Sequence, residues 1–103
     1  MISLKPLRVR SKLHLRYVAT LPCMICAVRP VQVHHLLTAQ PKAMGKKAGD
    51  QCCVPLCDFH HRMLHDVSGN ERQFMEDHNQ GDYLDYAHKL AEESPCAKIK
   101  EAA

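Results

Sequence analysis

Two pairs of potential zinc ligands constrain this chain more than any other feature of its sequence. Each pair has two intervening residues, a spacing that lets one short turn present two ligands, and the pairs are Cys23 with Cys26 and Cys57 with His60. Because thiolate and imidazole are the donors of tetrahedral zinc sites, the four residues predict a closed structural zinc site. The alternative is that these cysteines are small buried hydrophobic side chains.

The size and composition of the chain favour the zinc interpretation. The chain has 103 residues, no Trp and only five Phe and Tyr, so a hydrophobic core alone is thin support and a structural metal is a common remedy. The N-terminus has no long apolar segment typical of a signal peptide, and no run approaches the roughly 20 apolar residues of a membrane span. We therefore expect a soluble cytoplasmic protein, without membrane association, whose six cysteines are mostly reduced.

The net charge of +3 is distributed unevenly along the chain. Residues 1–65 contain ten Lys and Arg against two Asp and Glu, whereas residues 66–103 contain four against nine. A basic half that carries the metal motifs suits a polyanionic partner, because each cation near a phosphate releases counterions. A solvated surface with uneven charges is the alternative.

The pattern of apolar, turn and capping residues predicts one α+β domain. Strands are expected at 31–34 and 52–56, with a loop over 38–50 between them and a helix over 59–66 after a possible N-cap at Asp58. Ser11 is a candidate N-cap for a short helix ending near Ala19, and Asn70 for one over 71–78. Four residues fall at the i, i+3, i+4 and i+7 positions of a helix and predict the buried face of a further one: Tyr83, Tyr86, Ala87 and Leu90.

These elements suggest four segments. They are a basic N-terminal arm or helix (1–20), a zinc-braced core (21–68), a C-terminal helical extension (69–95) and a frayed tail (96–103).

A second group of histidines lies between and beside the zinc ligands. His61 and His65 are four residues apart on the predicted helix, so both rings project from one face and suit a single divalent ion. His34 and His35 are adjacent near a strand end, where one can bind that ion while the other addresses the substrate. A neutral imidazole can accept a proton from water near neutral pH, so the group predicts a phosphodiester hydrolase. Three histidines equally suit a catalytic zinc for another hydrolysis.

The motifs resemble those of a known nuclease family. The sequences LPCMIC, VHHL, GKKAGD and CVPLCDFHHRMLH within residues 21–65 are similar to the HNH (ββα-metal) nuclease core, in particular to small phage HNH nucleases, including the recombination-enhancement type that depends on RecA. The resemblance implies a small zinc-braced ββα-metal fold with additional C-terminal helices. It also implies a phage or prophage endonuclease that hydrolyses DNA with Mg²⁺ or another divalent cation, and a recombinase filament as a possible partner.

The resemblance also assigns roles to the histidines. His35 takes the general-base position and His34 the neighbouring metal-ligand position, while the helix ligands are His61 and His65. The zinc knuckle corresponds to Cys23, Cys26, Cys57 and His60. One departure concerns the central Asn of the family, whose position falls at Cys52; a backbone carbonyl or Asp50 is expected to fix the base imidazole instead.

Four basic residues are candidates for DNA contacts. Lys42, Lys46 and Lys47 lie in a glycine-containing loop that could follow a phosphate backbone, and Arg62 lies beside the helix ligands. The rival from another class is a non-catalytic zinc module that binds DNA or a recombination protein.

Overall fold

A two-stranded antiparallel sheet, followed directly by a helix, organises the molecule. In the computed structural model, which describes residues 8–40, 47–67 and 70–103, β1 spans Val31–His35 and β2 spans Cys53–Cys57. The register pairs His34 with Val54 and His35 with Cys53. Successive side chains of a strand point to opposite faces, so β1 sends its two histidines to different sides of the sheet. Both predicted strands are confirmed to within one residue.

Five helices complete the described part of the chain, which is therefore of the α+β class. They are α1 (Lys12–Ala19), α2 (Asp58–Val67), α3 (Glu71–Asp77), α4 (Tyr83–Glu92) and α5 (Ala97–Ala102). None of the helices within the described ranges is long and apolar enough to cross a membrane.

Two predicted helix caps are present. The Ser11 hydroxyl accepts a hydrogen bond from the backbone N–H of His14 at 3.1 Å, and the Asn70 side chain accepts one from Gln73 N–H at 3.1 Å. Each bond satisfies a backbone donor that the first helical turn leaves unpaired. At the other junction, α2 begins at Asp58 immediately after β2. The pair Cys57 and His60 therefore straddles the first turn of α2.

The hydrophobic core lies between the sheet, α2 and the C-terminal helices. The predicted stripe of α4 is confirmed, because Tyr83, Ala87 and Leu90 are buried and Tyr86 packs against the core. Tyr83 and Ala87 share one cluster of buried side chains with residues from the sheet region, α2 and α3: Leu36, Val54, Leu56, Leu64, Phe74 and Met75. The segment after residue 69 thus shares one core with the strands.

The prediction of a frayed tail at 96–103 is wrong. Residues Ala97–Ala102 form α5, and Ile99 is completely buried. Burial of one isoleucine contributes roughly 1.5–3 kcal/mol, which helps to offset the ordering of a short helix. One apolar residue among charged and small neighbours is too weak a periodic signal to predict this docking.

Candidate metal centres

The two predicted zinc-ligand pairs converge in the structure. The ligand atoms of Cys23, Cys26, Cys57 and His60 lie within 4.8 Å of one another. The sulfurs of Cys26 and Cys57 are 3.7 Å apart, and Cys57 Sγ lies 3.3 Å from His60 Nδ1. A disulfide would need about 2.05 Å, whereas a tetrahedron with Zn–S bonds of about 2.3 Å has edges of about 3.8 Å. This Cys₃His cluster, hereafter the cage, can hold a metal ion such as zinc.

Backbone hydrogen bonds shape the first half of the cage. Ala27 N–H donates to the Cys23 carbonyl at 2.8 Å, and Ala27 adopts a φ of 63°, which closes the turn. Met24 N–H donates to the carbonyl of Pro55 at 3.0 Å and so fastens the turn to β2. Burial opposes ionisation of Cys23, yet backbone hydrogen bonds to its sulfur, including one from Ile25 N–H, bring its pKa below the ordinary value. The turn therefore favours a thiolate donor.

A second cluster consists of three histidines. The ligand nitrogens of His34, His61 and His65 lie within 4.8 Å of one another, and the Nε2 atoms of His61 and His65 are 3.2 Å apart. His34 is buried, His61 is half-buried and His65 is exposed. Three donors on a partly exposed surface leave coordination positions for water or a phosphate oxygen. The structure thus brings together the three residues predicted to bind a catalytic ion.

A hydrogen bond to Gln32 fixes which nitrogen the ring of His61 offers. Gln32 Oε1 accepts from Nδ1 of His61, and its amide nitrogen donates to Asp58 Oδ1 at 3.0 Å. His61 therefore keeps the Nε2 lone pair on the side of His65. Burial, followed by the neighbouring rings of His34 and His65, lowers the pKa of His61 and favours its neutral, ligating form.

The buried partner of His34 is Glu71, a residue that no sequence pattern predicted. Glu71 Oε1 lies 2.7 Å from His34 Nε2, and its carboxylate also accepts from Thr38 Oγ1 at 2.6 Å and from the backbone N–H groups of Leu37 and Thr38. Burial raises the pKa of Glu71, but these hydrogen bonds outweigh it and bring the pKa below its ordinary value. A carboxylate only accepts, so His34 donates through Nε2 and keeps its Nδ1 lone pair.

His35 has a different carboxylate partner. Its Nε2 lies 2.8 Å from Asp50 Oδ1, and Asp50 also accepts from Ser11 N–H at 2.8 Å and from Arg10 at 3.2 Å. Burial raises the pKa of Asp50, but the hydrogen bonds from His35, Ser11 and Arg10 lower it overall. Of the two groups expected to fix this imidazole, the structure shows Asp50. Its position leaves Nδ1 of His35 as the basic nitrogen.

The candidate DNA-binding residues are only partly within the described structure. Lys42 and Lys46 lie outside the described residues. The carbonyl of Lys47 accepts a hydrogen bond from Arg10 at 3.0 Å, which ties residue 47 to the N-terminal arm. Arg62 is exposed on α2 and forms an ion pair with Asp58 at 3.0 Å. Their role in DNA binding stays a prediction.

The donor atoms of the two clusters suit different ions. Three thiolates and one imidazole match the preference of zinc in structural sites. Three imidazoles suit borderline ions such as Zn²⁺, Ni²⁺ or Cu²⁺, whereas Mg²⁺ prefers oxygen ligands. The three-histidine cluster therefore fits a divalent transition-metal ion better than Mg²⁺.

The fold and its two clusters define a small α+β protein with candidate metal centres, and comparison with known proteins adds its family. A family described as "Protein of unknown function (DUF968)" matches residues 1–94, so the chain belongs to that family. The chain is also similar to "Uncharacterized protein YdfU" of Escherichia coli (strain K12), with 42% identity over 50 residues. That match covers 48% of this chain but 14% of the relative. No solved structure matches the chain.

Proposed function

We propose that this protein is an HNH (ββα-metal) endonuclease that hydrolyses DNA phosphodiester bonds with one divalent cation and a histidine general base. The observation that carries the proposal is the division of labour at the end of β1. His34 joins His61 and His65 in an open three-nitrogen cluster, whereas the next residue, His35, is held by Asp50. A metal-ligand cluster, with an oriented imidazole on the residue next to one of its ligands, supplies the two kinds of group that phosphodiester hydrolysis requires.

His35 is the general base in this proposal. Its Nε2–H donates to Asp50, so Nδ1 accepts a proton from a water molecule. The oxygen of that water forms a bond to phosphorus, the bond from phosphorus to one ester oxygen breaks, and the departing oxygen takes up a proton from solvent. The Asp50 carboxylate stabilises the imidazolium that His35 becomes, as the carboxylate of a catalytic triad does.

The other residues of the site bind and orient. His34 is buried, while His61 and His65 present their Nε2 atoms on the more exposed side, where a phosphate can approach. When bound to these three residues, a divalent ion supplies positive charge that stabilises the phosphate in the transition state. The basic residues of the N-terminal half supply the general attraction for DNA. A recombinase filament as a partner stays a prediction.

The cage supports the site without taking part in the chemistry. Cys57 and His60 hold the first turn of α2, and His61 is the next residue of that helix. An ion in the cage would fix the helix that carries both His61 and His65. This arrangement explains why two metal-ligand clusters occur in so short a chain.

A plasmid-nicking assay tests the proposal. Purified zinc-loaded protein is incubated with supercoiled DNA in Zn²⁺, Ni²⁺, Co²⁺, Mn²⁺ or Mg²⁺, and wild type is compared with His35→Ala. Wild type should nick DNA with at least one of these ions. The variant should lose about 10²–10⁴-fold in rate, the usual contribution of a general base, while keeping one zinc per chain. His88→Ala is a matched control, because His88 is exposed on α4 and pairs only loosely with Glu92 at 3.5 Å.

Two results would count against the proposal. Unimpaired cleavage by His35→Ala would remove the general-base assignment. DNA binding by wild type without cleavage in any of the five ions would favour the non-catalytic zinc module.

A further inference from the structure

We infer that Glu71 is a positioning residue for the three-histidine cluster. Through Glu71, α3 orients a ligand of that metal centre. The inference rests on the proposed function only in taking His34, His61 and His65 as ligands of one ion. It does not depend on which bond the protein cleaves.

The geometry of the Glu71 contact selects one tautomer of His34. Both side chains are nearly inaccessible, with 3% of His34 and none of Glu71 exposed, and Nε2 lies 2.7 Å from Oε1. Because the carboxylate has no proton to donate, the proton of the ring is held on Nε2. An unpartnered neutral imidazole would divide itself between two tautomers, of which only one offers Nδ1 to an ion.

The surroundings of Glu71 keep it charged and fixed. Its donors are His34, Leu37 and Thr38, all within or just after β1. A buried carboxylate without such donors would be very costly. The chain leaving β1 therefore wraps around the carboxylate of α3, and the position of that carboxylate determines the orientation of the His34 ring.

A negative charge behind a ligating imidazole also makes the ring a better electron donor. Loss of a carboxylate in this position typically costs 10–100-fold in metal affinity. A residue with a purely structural role would leave ion affinity unchanged once the protein had folded. Affinity for the second ion is thus the measurement that separates the two roles.

The experiment uses the full chain with its cage filled by one equivalent of zinc. Co²⁺ is titrated into wild type, Glu71→Gln and Glu76→Gln, and binding is followed by calorimetry and by the visible absorption of Co²⁺. Glu71→Gln keeps the shape of the side chain but must turn its NH₂ towards either His34 or the backbone donors. We expect its Co²⁺ affinity to fall 10–100-fold with zinc content unchanged.

Glu76→Gln is the matched control. It makes the same substitution on α3, at an exposed residue that belongs to neither cluster. We expect its Co²⁺ affinity to stay within about threefold of wild type, since Glu71 still fixes the tautomer of His34. Equal losses in both variants would mean that the effect does not come from the contact between Glu71 and His34 and would overturn the inference.

A second measurement needs no variant and covers the case in which Glu71→Gln fails to fold. Long-range ¹H–¹⁵N spectra of the zinc-loaded wild type, without Co²⁺, report which nitrogen of His34 carries the proton. Protonation of Nε2 is expected, and a ring protonated on Nδ1 would overturn the inference. Failure of wild type to bind Co²⁺ would remove both the site and the inference. If Co²⁺ binding weakens in Glu71→Gln but the protein cleaves no DNA, the nuclease proposal is contradicted and the role of Glu71 is supported.

Discussion

The cage and the three-histidine cluster share one helix but differ in the number, type and exposure of their donor atoms. His60 belongs to the cage and His61, the next residue, to the other cluster. Neighbouring residues of a helix point about 100° apart, so a single turn of α2 serves both. The cage has four donors, three of them sulfur, whereas the histidine cluster has three nitrogens and an exposed member. A complete donor set suits a structural role, and an incomplete one suits binding of a substrate oxygen.

The clusters also differ in what supports their ligands. The Cys23 sulfur accepts a backbone N–H, which any residue except proline can supply. The imidazoles instead depend on particular side chains, namely Glu71 for His34 and Gln32 for His61. A thiolate needs only a stabilised charge, but an imidazole needs its proton on the correct nitrogen. Mutations at support residues should therefore affect the histidine cluster far more than the cage.

The largest expected effect follows disruption of the cage. Cys57→Ser should lose zinc and unfold, because the apparent binding free energy of structural zinc is about 10–16 kcal/mol in zinc-finger peptides, comparable with the whole stability of a small domain at about 5–15 kcal/mol. Zinc content and circular dichroism check the result. Cys96→Ser is the control, since Cys96 precedes α5 and belongs to neither cluster. A folded, zinc-free Cys57→Ser protein would show that the cage is dispensable.

The second effect should be confined to the open cluster. The double change His61→Ala with His65→Ala should abolish binding of the second ion while the cage keeps its zinc and the helices remain folded, because the pair contributes exposed or half-buried surface and not core. Calorimetry with Co²⁺ and the zinc content measure the two sites separately. Loss of zinc together with the second ion would contradict the separation of the clusters.

Local spacing explains why so much of the two clusters could be predicted from the sequence. The Cys pairs, the histidines four apart and the caps at Ser11 and Asn70 each depend on a few consecutive residues. These short-range patterns also placed β1, β2 and α2 almost correctly. A turn or a helix fixes such geometry wherever it occurs in the fold.

The long-range contacts of the supporting carboxylates could not be predicted in this way. Glu71 meets His34 across 37 positions, and Arg10 meets Asp50 across 40. Glu71 stands in an ordinary helical first turn, where acidic residues are common for local reasons. Only the packing of α3 against the end of β1 distinguishes it from exposed acids of the same helix. Asp50 was one of two expected partners for His35, and it lies two residues before Cys52, where the resemblance places the family's central Asn.

A buried histidine outside both clusters is expected to make the folded protein less stable at acid pH. His14 is fully buried, its Nδ1 lies 2.8 Å from Ser94 Oγ, and its Nε2 has no hydrogen-bond partner in the described structure. Burial lowers its pKa, and the charge of Asp50 offsets this only in part. The unfolded chain therefore takes up a proton near pH 6.5 before the folded chain does, so stability falls as the pH drops below about 6.5.

His14→Gln should reduce the loss of unfolding free energy that accompanies acidification. The free energy of unfolding of zinc-loaded wild type and variant is measured in denaturant at several pH values between about 7.5 and 5.5. The variant should be less stable at the upper end, where the neutral histidine packs well, and should lose less stability on acidification. Protonation of the cage ligands affects both proteins and cancels in the difference. Identical pH slopes would show that His14 contributes nothing and that acid acts through the metal ligands.

The smallest expected effect tests on which side of α2 the DNA lies. Arg62 and Asp58 form an exposed ion pair of the i, i+4 type, so Arg62→Ala should change stability by no more than about 0.5 kcal/mol. DNA affinity falls with salt, and the logarithm of the association constant has a negative slope against the logarithm of the salt concentration. If the predicted phosphate contact exists, Arg62→Ala should make that slope shallower by about 0.9.

Arg72→Ala provides the matched control, because Arg72 is also exposed but lies on α3 in the acidic half of the chain. Its salt slope should equal that of wild type. DNA affinities measured at several salt concentrations for the three proteins separate these outcomes. A reduced slope for Arg62→Ala alone would place the phosphate backbone along the helix that carries His61 and His65. Equal slopes for all three proteins would mean that Arg62 makes no phosphate contact and would leave the N-terminal basic residues as the main contacts of the DNA.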